Sequence, residues 1–165
     1  MKYDKAEFIR ELDKEQIPYE YTEHPVITTM AELYELHLPR EQEVARNLFL
    51  RDDKHRNYYL ISVCPKHRTD LRNLQEQLSS RRLSFASEKD LQEILGLLPG
   101  SVTPAGLLND AEHKVVCGLD RGFLNGDIGI HPVSNDATVW LSGENLKSLL
   151  EKHGVTVVLL DLQEE

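Results

Sequence analysis

The sequence predicts one α/β (α+β-like) domain over residues 1–165, a mixed sheet with helices packed around it. Three observations carry this reading. A chain of 165 residues is long enough for one real hydrophobic core, and 40% hydrophobic with 28% charged residues is a globular balance. Apolar runs of strand period and of helix period follow one another with no repeat, low-complexity tract or linker. Their alternation is irregular, which favours a mixed sheet over a doubly wound one.

Asp4 can cap a first helix in which Phe8, Ile9 and Leu12 share a face, ending before Pro18. Tyr19–Glu23 reads as extended, His24-Pro25 as a turn, and Thr28 or Thr29 as the cap of a short helix over Ala31–His37. Asn47–Arg51 and Asn57–Val63 are β-rich runs around the polar Asp52–Arg56, which makes a hairpin. Thr69 or Asp70 opens a helix carrying Leu71, Leu74 and Leu78, and Arg82–Phe85 is a short strand. Ser87 with Asp90 resembles a capping box, and the helix after it ends near Gly96. Val115–Leu119, Ile128–Ile130 and Ala137–Leu141 follow as strands. Ser142 caps a helix with Leu146, Leu149 and Leu150 that Gly154 ends, and the apolar Val155–Leu162 is expected as a central strand.

The totals exclude some function classes. No apolar run approaches the roughly 18 residues that span a bilayer. The charged start, MKYDKAEFIRELDKEQ, lacks the apolar centre of a signal peptide, so a cytoplasmic location is expected, with Cys64 and Cys117 as reduced thiols. His55, His67 and His113 show no metal-ligand spacing, and no metal site is expected. A net charge of −9 argues against a protein that coats nucleic acid by general electrostatics. The charge is uneven, however. Residues 46–82 hold nine Lys/Arg against four Asp/Glu, a local +5 that leaves −14 for the remainder. Such a zone fits a restricted phosphate contact, as at one end of an RNA.

Two stretches stand apart from ordinary strand or helix patterns: GSVTPAGLLND (Gly100–Asp110) and GIHPVSNDATVWLSG (Gly129–Gly143). Gly100 and Gly106 can take backbone angles closed to other residues, and Pro104 fixes its own φ. A loop shaped in this way can aim N–H groups at a carbonyl oxygen that is becoming an oxyanion.

These blocks, with EHPVITTMAEL, VARNLFLRDDKHRNYYLISV and RLSFASEKDLQEILGLLPGSVTPAGLLND, resemble the prolyl-tRNA deacylase branch of the YbaK-type trans-editing superfamily. The likeness runs from about Tyr21 to about Leu150. It implies a compact α/β fold with a barrel-like mixed sheet. The implied activity is hydrolysis of the ester of a mischarged aminoacyl-tRNA, chiefly alanyl-tRNA(Pro), without metal or other cofactor. The implied partners are the acceptor end of the aminoacyl-tRNA and prolyl-tRNA synthetase, with no DNA and no membrane. The chemistry agrees, since a pocket built for proline rejects a smaller side chain by only about 1–3 kcal/mol per methylene, so a second sieve is needed. An aminoacyl ester is already activated and needs oxyanion donors, a fixed pose and a water rather than a protein nucleophile.

Carried over by position, the family's GxxxP loop falls on Gly100 to Pro104. Its backbone, with the Ser101 and Thr103 hydroxyls, would hold the aminoacyl carbonyl and the terminal ribose. His131 would lie at the pocket rim, His24 would line the pocket, and Asn135 and Thr138 would shape it. Asn47 matches the asparagine of the family's Lys-Asn pair, while Arg46 stands where the family has lysine. Arginine is a planar fork and lysine a point charge, so this departure is not neutral in a tight site. Arg51, Arg56 and Arg68 would supply the tRNA contact. Two other functions fit the same residues: a deacylase for mischarged cysteinyl- or seryl-tRNA, and a tRNA- or aminoacyl-adenosine-binding module weakened by Arg46.

Overall fold

Local chemistry sets the ends of most elements. The computed structural model describes residues 2–164. In α1 (Lys5–Lys14) the Asp4 side chain accepts from the Glu7 N–H, and Phe8, Glu11 and Leu12 are buried. Strand β1 (Glu20–Glu23) leads to α2 (Met30–Glu35), where Thr29 caps the Glu32 N–H. The hairpin is β2 (Arg46–Asp52) and β3 (Tyr58–Val63); Asp70 then caps α3 (Leu71–Leu78), and β4 (Leu83–Phe85) follows. Ser87 caps α4 (Glu88–Asp90), which widens into a π turn over Leu91–Leu95 before Gly96 closes it. Next come β5 (Val115–Asp120), β6 (Asp127–Ile130) and β7 (Ala137–Ser142). The last helix is α5 (Gly143–Lys152), capped by Ser142, and β8 (Val157–Leu160) ends the fold. Three 3₁₀ helices among the described residues, Glu41–Glu43, Pro104–Asn109 and Arg121–Asn125, fill segments between these elements. No helix among the described residues is long and apolar enough to cross a membrane.

The strands form a mixed five-stranded sheet, β4-β2-β3-β5-β8, and an antiparallel three-stranded sheet, β1-β7-β6. In the larger sheet β2 pairs antiparallel with β3 and β4, while β3–β5 and β5–β8 are parallel. The barrel-like sheet implied by the resemblance is not a closed barrel. The two sheets meet where Val44 bridges Gly129 and the Ala45 N–H donates to the Gly129 carbonyl at 2.9 Å.

β8 lies at the edge of the larger sheet, not at its centre as its apolar run suggested. Its composition reflects two covered faces: Val157 and Leu159 join the main core with Leu149 and Leu150 of α5. Val158 and Leu160 join a second core with Leu74 of α3. A third small cluster, Ile27, Leu33, Leu38, Val44 and Trp140, seats α2 at the seam between the sheets. That cluster positions the site.

Candidate functional site

A cavity of about 360 Å³ opens at this seam. Five successive residues of its wall, Val44, Ala45, Arg46, Asn47 and Leu48, run from the approach to β2 into its first three residues. Alternate strand residues face opposite sides, so a run of five means that the strand presents its edge. The pairings explain why: that edge of β2 is bridged to Gly129 at Val44 and paired with β4 only from Leu50 to Asp52. Between them the edge is open to the cavity. Ile27, Thr28, Thr29, Met30 and Leu33 make the opposite wall, and Gly100, Val102 and His131 complete it.

Four of the residues singled out in the sequence therefore share one cavity: Gly100, Arg46, Asn47 and His131. Gly100 has φ +82°, and a Cβ there would lie 3.0–3.2 Å from Cβ, Cα and Cγ2 of Thr28. The loop thus packs directly on the segment leading into α2. Among the described residues the Gly100 and Val102 N–H groups have no hydrogen-bond partner, whereas the Ser101 N–H donates to the Leu98 carbonyl at 3.0 Å. Asn47 accepts the Ser62 hydroxyl at 2.6 Å through Oδ1, which leaves its NH₂ for the cavity. Arg46 makes no carboxylate pair among the described residues; its Nη2 donates to the His67 carbonyl at 2.6 Å, and its other N–H groups remain for a ligand.

The two loop hydroxyls do not serve as expected. Ser101 donates to the Leu98 carbonyl at 2.6 Å and accepts from its N–H at 3.1 Å, closing its own turn. Thr103 is fully buried; it accepts from the Ala105 N–H at 3.2 Å and donates to the His131 carbonyl at 2.5 Å. Pro104 is the buried first residue of a 3₁₀ helix. Gly106 does not need a left-handed φ; it is small because Leu97 packs against it. These residues build the loop, whose Gly100 and Val102 line the cavity with N–H groups that have no partner among the described residues.

His131 is set by its surroundings. Its Nδ1 lies 3.1 Å from the Ala137 carbonyl, and a carbonyl only accepts, so Nδ1 carries the proton and Nε2 has a free lone pair. Burial, together with nearby His24, holds this imidazole below its ordinary value, so it is neutral at pH 7. His24, Asn135 and Thr138 do not line the cavity but stand behind it. The His24 Nδ1 lies 2.9 Å from the Pro25 carbonyl, its Nε2 lies 2.8 Å from the buried Thr138 hydroxyl, and its ring lies edge-on to His131 at 6.3 Å. Asn135 donates to the Ile27 carbonyl at 2.8 Å, pinning the wall opposite β2.

The three arginines expected to contact tRNA are not together. Arg51 is bound to Asp90 at 2.7 Å with its Nε buried, so its charge is already compensated. Arg56 is exposed in the β2–β3 turn, at the far end of the hairpin from Arg46. Arg68 is exposed, and its loop, with exposed Lys66, runs past Arg46 through the His67 contact.

Sequence reading missed the α2 entry, Thr28 to Leu33, as a cavity wall; its weak signal was the short helix after His24-Pro25. It also missed a cluster: one ligand atom each from Cys64, His67 and Asp120 lie within 4.8 Å of one another. The histidines alone gave no metal spacing, but Cys64-x-x-His67 was available as a signal. The Cys64 thiol is pushed up to about 12 by burial and by Asp120, so it is no nucleophile at neutral pH.

Residues 24–149 match the family model of the aminoacyl-tRNA editing domain. The prolyl-tRNA editing protein ProX of Acetoanaerobium sticklandii is 36% identical over 159 residues, covering 96% of this chain and 97% of that protein. The prolyl-tRNA synthetase associated domain-containing protein 1 of Mus musculus is 33% identical over 167 residues, covering 95% of each. A solved candidate trans-editing enzyme for prolyl tRNA synthetase superposes with a TM-score of 0.69 at 20% identity, covering 98% of both chains, which is a likeness of fold.

Proposed function

The chain belongs to the aminoacyl-tRNA editing domain family, and from that premise we propose that it is a trans-acting deacylase that hydrolyses mischarged alanyl-tRNA(Pro). The observation that carries the reading is the donor set of one cavity. Uncommitted N–H groups of Gly100 and Val102, the Asn47 amide and the Arg46 guanidinium meet the lone pair of a neutral His131.

In this reading the Gly100 and Val102 N–H groups stabilise the ester carbonyl as it becomes an oxyanion. Asn47 and Arg46 hold the terminal ribose and phosphate, and His131 Nε2 accepts from the substrate α-ammonium. Ile27, Met30, Leu33 and Val44 line a recess for a small apolar side chain. Neither serine nor cysteine lines the cavity, and the Thr28 and Thr29 hydroxyls are held by Glu32 or its N–H. Water is then the nucleophile, positioned by the substrate's own ribose hydroxyl. The enzyme acts where charged tRNA and prolyl-tRNA synthetase are found, in the cytoplasm, with that synthetase as the partner whose errors it clears.

The test is single-turnover deacylation of purified alanyl-tRNA(Pro) beside seryl- and cysteinyl-tRNA, for wild type and Arg46→Lys. Preferred loss of the alanyl ester supports the reading. Preferred loss of another ester reassigns the substrate. Binding without turnover that Arg46→Lys restores would make the chain a binding module.

A further inference from the structure

We propose that Cys64, His67 and Asp120 form a binding site for a divalent cation of the zinc class, separate from the deacylation cavity. The topology brings the three together. Cys64 directly follows β3 and Asp120 ends β5, and these strands are parallel neighbours, so their C-terminal ends lie side by side. The His67 N–H donates to the Cys64 carbonyl at 2.9 Å, a tight turn that carries His67 back over Cys64.

The donors converge on a single space. A Cβ added to Gly122 would lie 2.8 Å from Cys64 Sγ, 3.2 Å from His67 Cε1 and 3.3 Å from Asp120 Oδ1. Three donor side chains thus crowd one point that only glycine leaves clear. Asp120 is held rigidly there, 1% exposed, with Oδ1 accepting from the Gly122 N–H at 3.0 Å and Oδ2 from the Cys64 N–H at 2.9 Å. Cys64 and His67 are partly exposed, which gives an ion a way in.

The donor chemistry selects the ion. Thiolate, imidazole and carboxylate together suit zinc, whereas magnesium and calcium prefer oxygen alone. Three protein ligands leave a fourth, tetrahedral position for water. The His67 Nδ1 and Asp120 Oδ2 now share a hydrogen bond of 2.6 Å. Two ligands of one tetrahedral ion lie roughly 3.3 Å apart, so entry of the ion opens this contact by a small turn of the His67 ring. The ring proton moves to Nε2, the thiol proton leaves to solvent, and one proton is released per ion. A Cys-His-Asp hydrolase is not favoured, because Cys64 does not line the substrate cavity.

The test titrates the metal-free chain with cobalt(II), whose thiolate charge-transfer and ligand-field bands report sulfur ligation and geometry. The expected result is one tetrahedral cobalt per chain with a charge-transfer band, lost in Cys64→Ser and kept in Cys117→Ala. Affinity in His67→Gln should fall by at least about tenfold. Should Cys64→Ser fail to fold, alkylation of Cys64 in the wild type at alkaline pH, where some thiolate is available, followed by mass spectrometry, answers the same question: zinc(II) should slow it. A folded wild type with no charge-transfer band at saturating cobalt, a band that persists in folded Cys64→Ser, or alkylation indifferent to zinc would overturn the proposal.

Discussion

The Thr103 hydroxyl donates to the main-chain carbonyl of His131 at 2.5 Å while accepting from the Ala105 N–H. One buried side chain therefore caps the 3₁₀ helix after the Gly100 loop and ties that loop to the histidine that lines the same cavity. Two segments 28 residues apart are set against each other by a single hydroxyl.

Thr103→Val keeps the shape and removes both bonds, leaving the Ala105 N–H unpaired and the His131 carbonyl with the Val133 N–H alone. Stability should fall by about 2 kcal/mol in denaturant titrations. Deacylation should fall further than stability explains, by roughly tenfold to a hundredfold, because a shift of about 1 Å in His131 or the loop is enough. Thr103→Ser restores the hydroxyl and should recover most of both. A Val variant with normal turnover would separate the loop from the histidine.

Gly100→Ala meets two obstacles at once. Its φ of +82° is unfavourable for any residue with a Cβ, and that Cβ would press on the Thr28 backbone. The backbone cost alone is about 1–2 kcal/mol. From the sequence alone, Gly100→Ala is expected to cost activity more than stability, through blocked approach of the loop backbone to the ester carbonyl. The contact with Thr28 changes that expectation: melting temperature and turnover should drop together, because the Cβ pushes apart the two walls of the cavity.

How much of this was legible follows from what each residue's partner is. Helix caps at Asp4, Thr29, Asp70, Ser87 and Ser142 are local, and each could be read from its own neighbourhood. The membership of Gly100, Asn47 and His131 in one cavity was readable through the family resemblance. The fate of Ser101 and Thr103 was not, because a hydroxyl in a motif looks the same whether it faces a ligand or a carbonyl 28 residues away. Asp90, which claims Arg51, is more remote still in sequence. β8 misled for another reason: an edge strand covered by helices on both faces has the composition of a central one.

The His131 ring gives the site a pH dependence with a defined sign. Its value is lowered from 6.5, so it is neutral at pH 7 and becomes charged only as pH falls below that ordinary value. The charged ring would face the substrate's α-ammonium, so kcat/KM should be flat near neutrality and decline at acid pH through a raised KM. In His131→Asn this acid limb should be absent. Stability moves the same way. The unfolded chain takes up this proton at a higher pH than the folded one, so the folded state weakens as pH drops from 6.5 through the lowered value. Denaturant midpoints across pH for both proteins check the linkage, and a steeper acid decline in His131→Asn would contradict it.

The two ends of the hairpin hold different cations at different distances from the cavity. Arg46 opens β2 at the cavity, and Arg51 lies five residues along it, about 16 Å away, with Arg56 farther still. Lys66 and Arg68 instead belong to the loop that touches Arg46, and both are exposed. If the acceptor end enters the cavity as proposed, its phosphates pass that loop. Replacing Lys66 and Arg68 together by alanine should raise KM for alanyl-tRNA and lower the salt slope of binding by roughly 1.4, the value for two single-strand phosphate contacts. Hydrolysis of a small alanyl-adenosine ester, which has no phosphate chain, should be unchanged. Arg56→Ala should leave all three measurements near wild type. Arg51→Ala should instead cost stability, because it strands the Asp90 carboxylate that it neutralises. If Arg56→Ala reduces the salt slope while the Lys66/Arg68 pair does not, the acceptor arm crosses the far end of the hairpin and the surface assigned here is the wrong one.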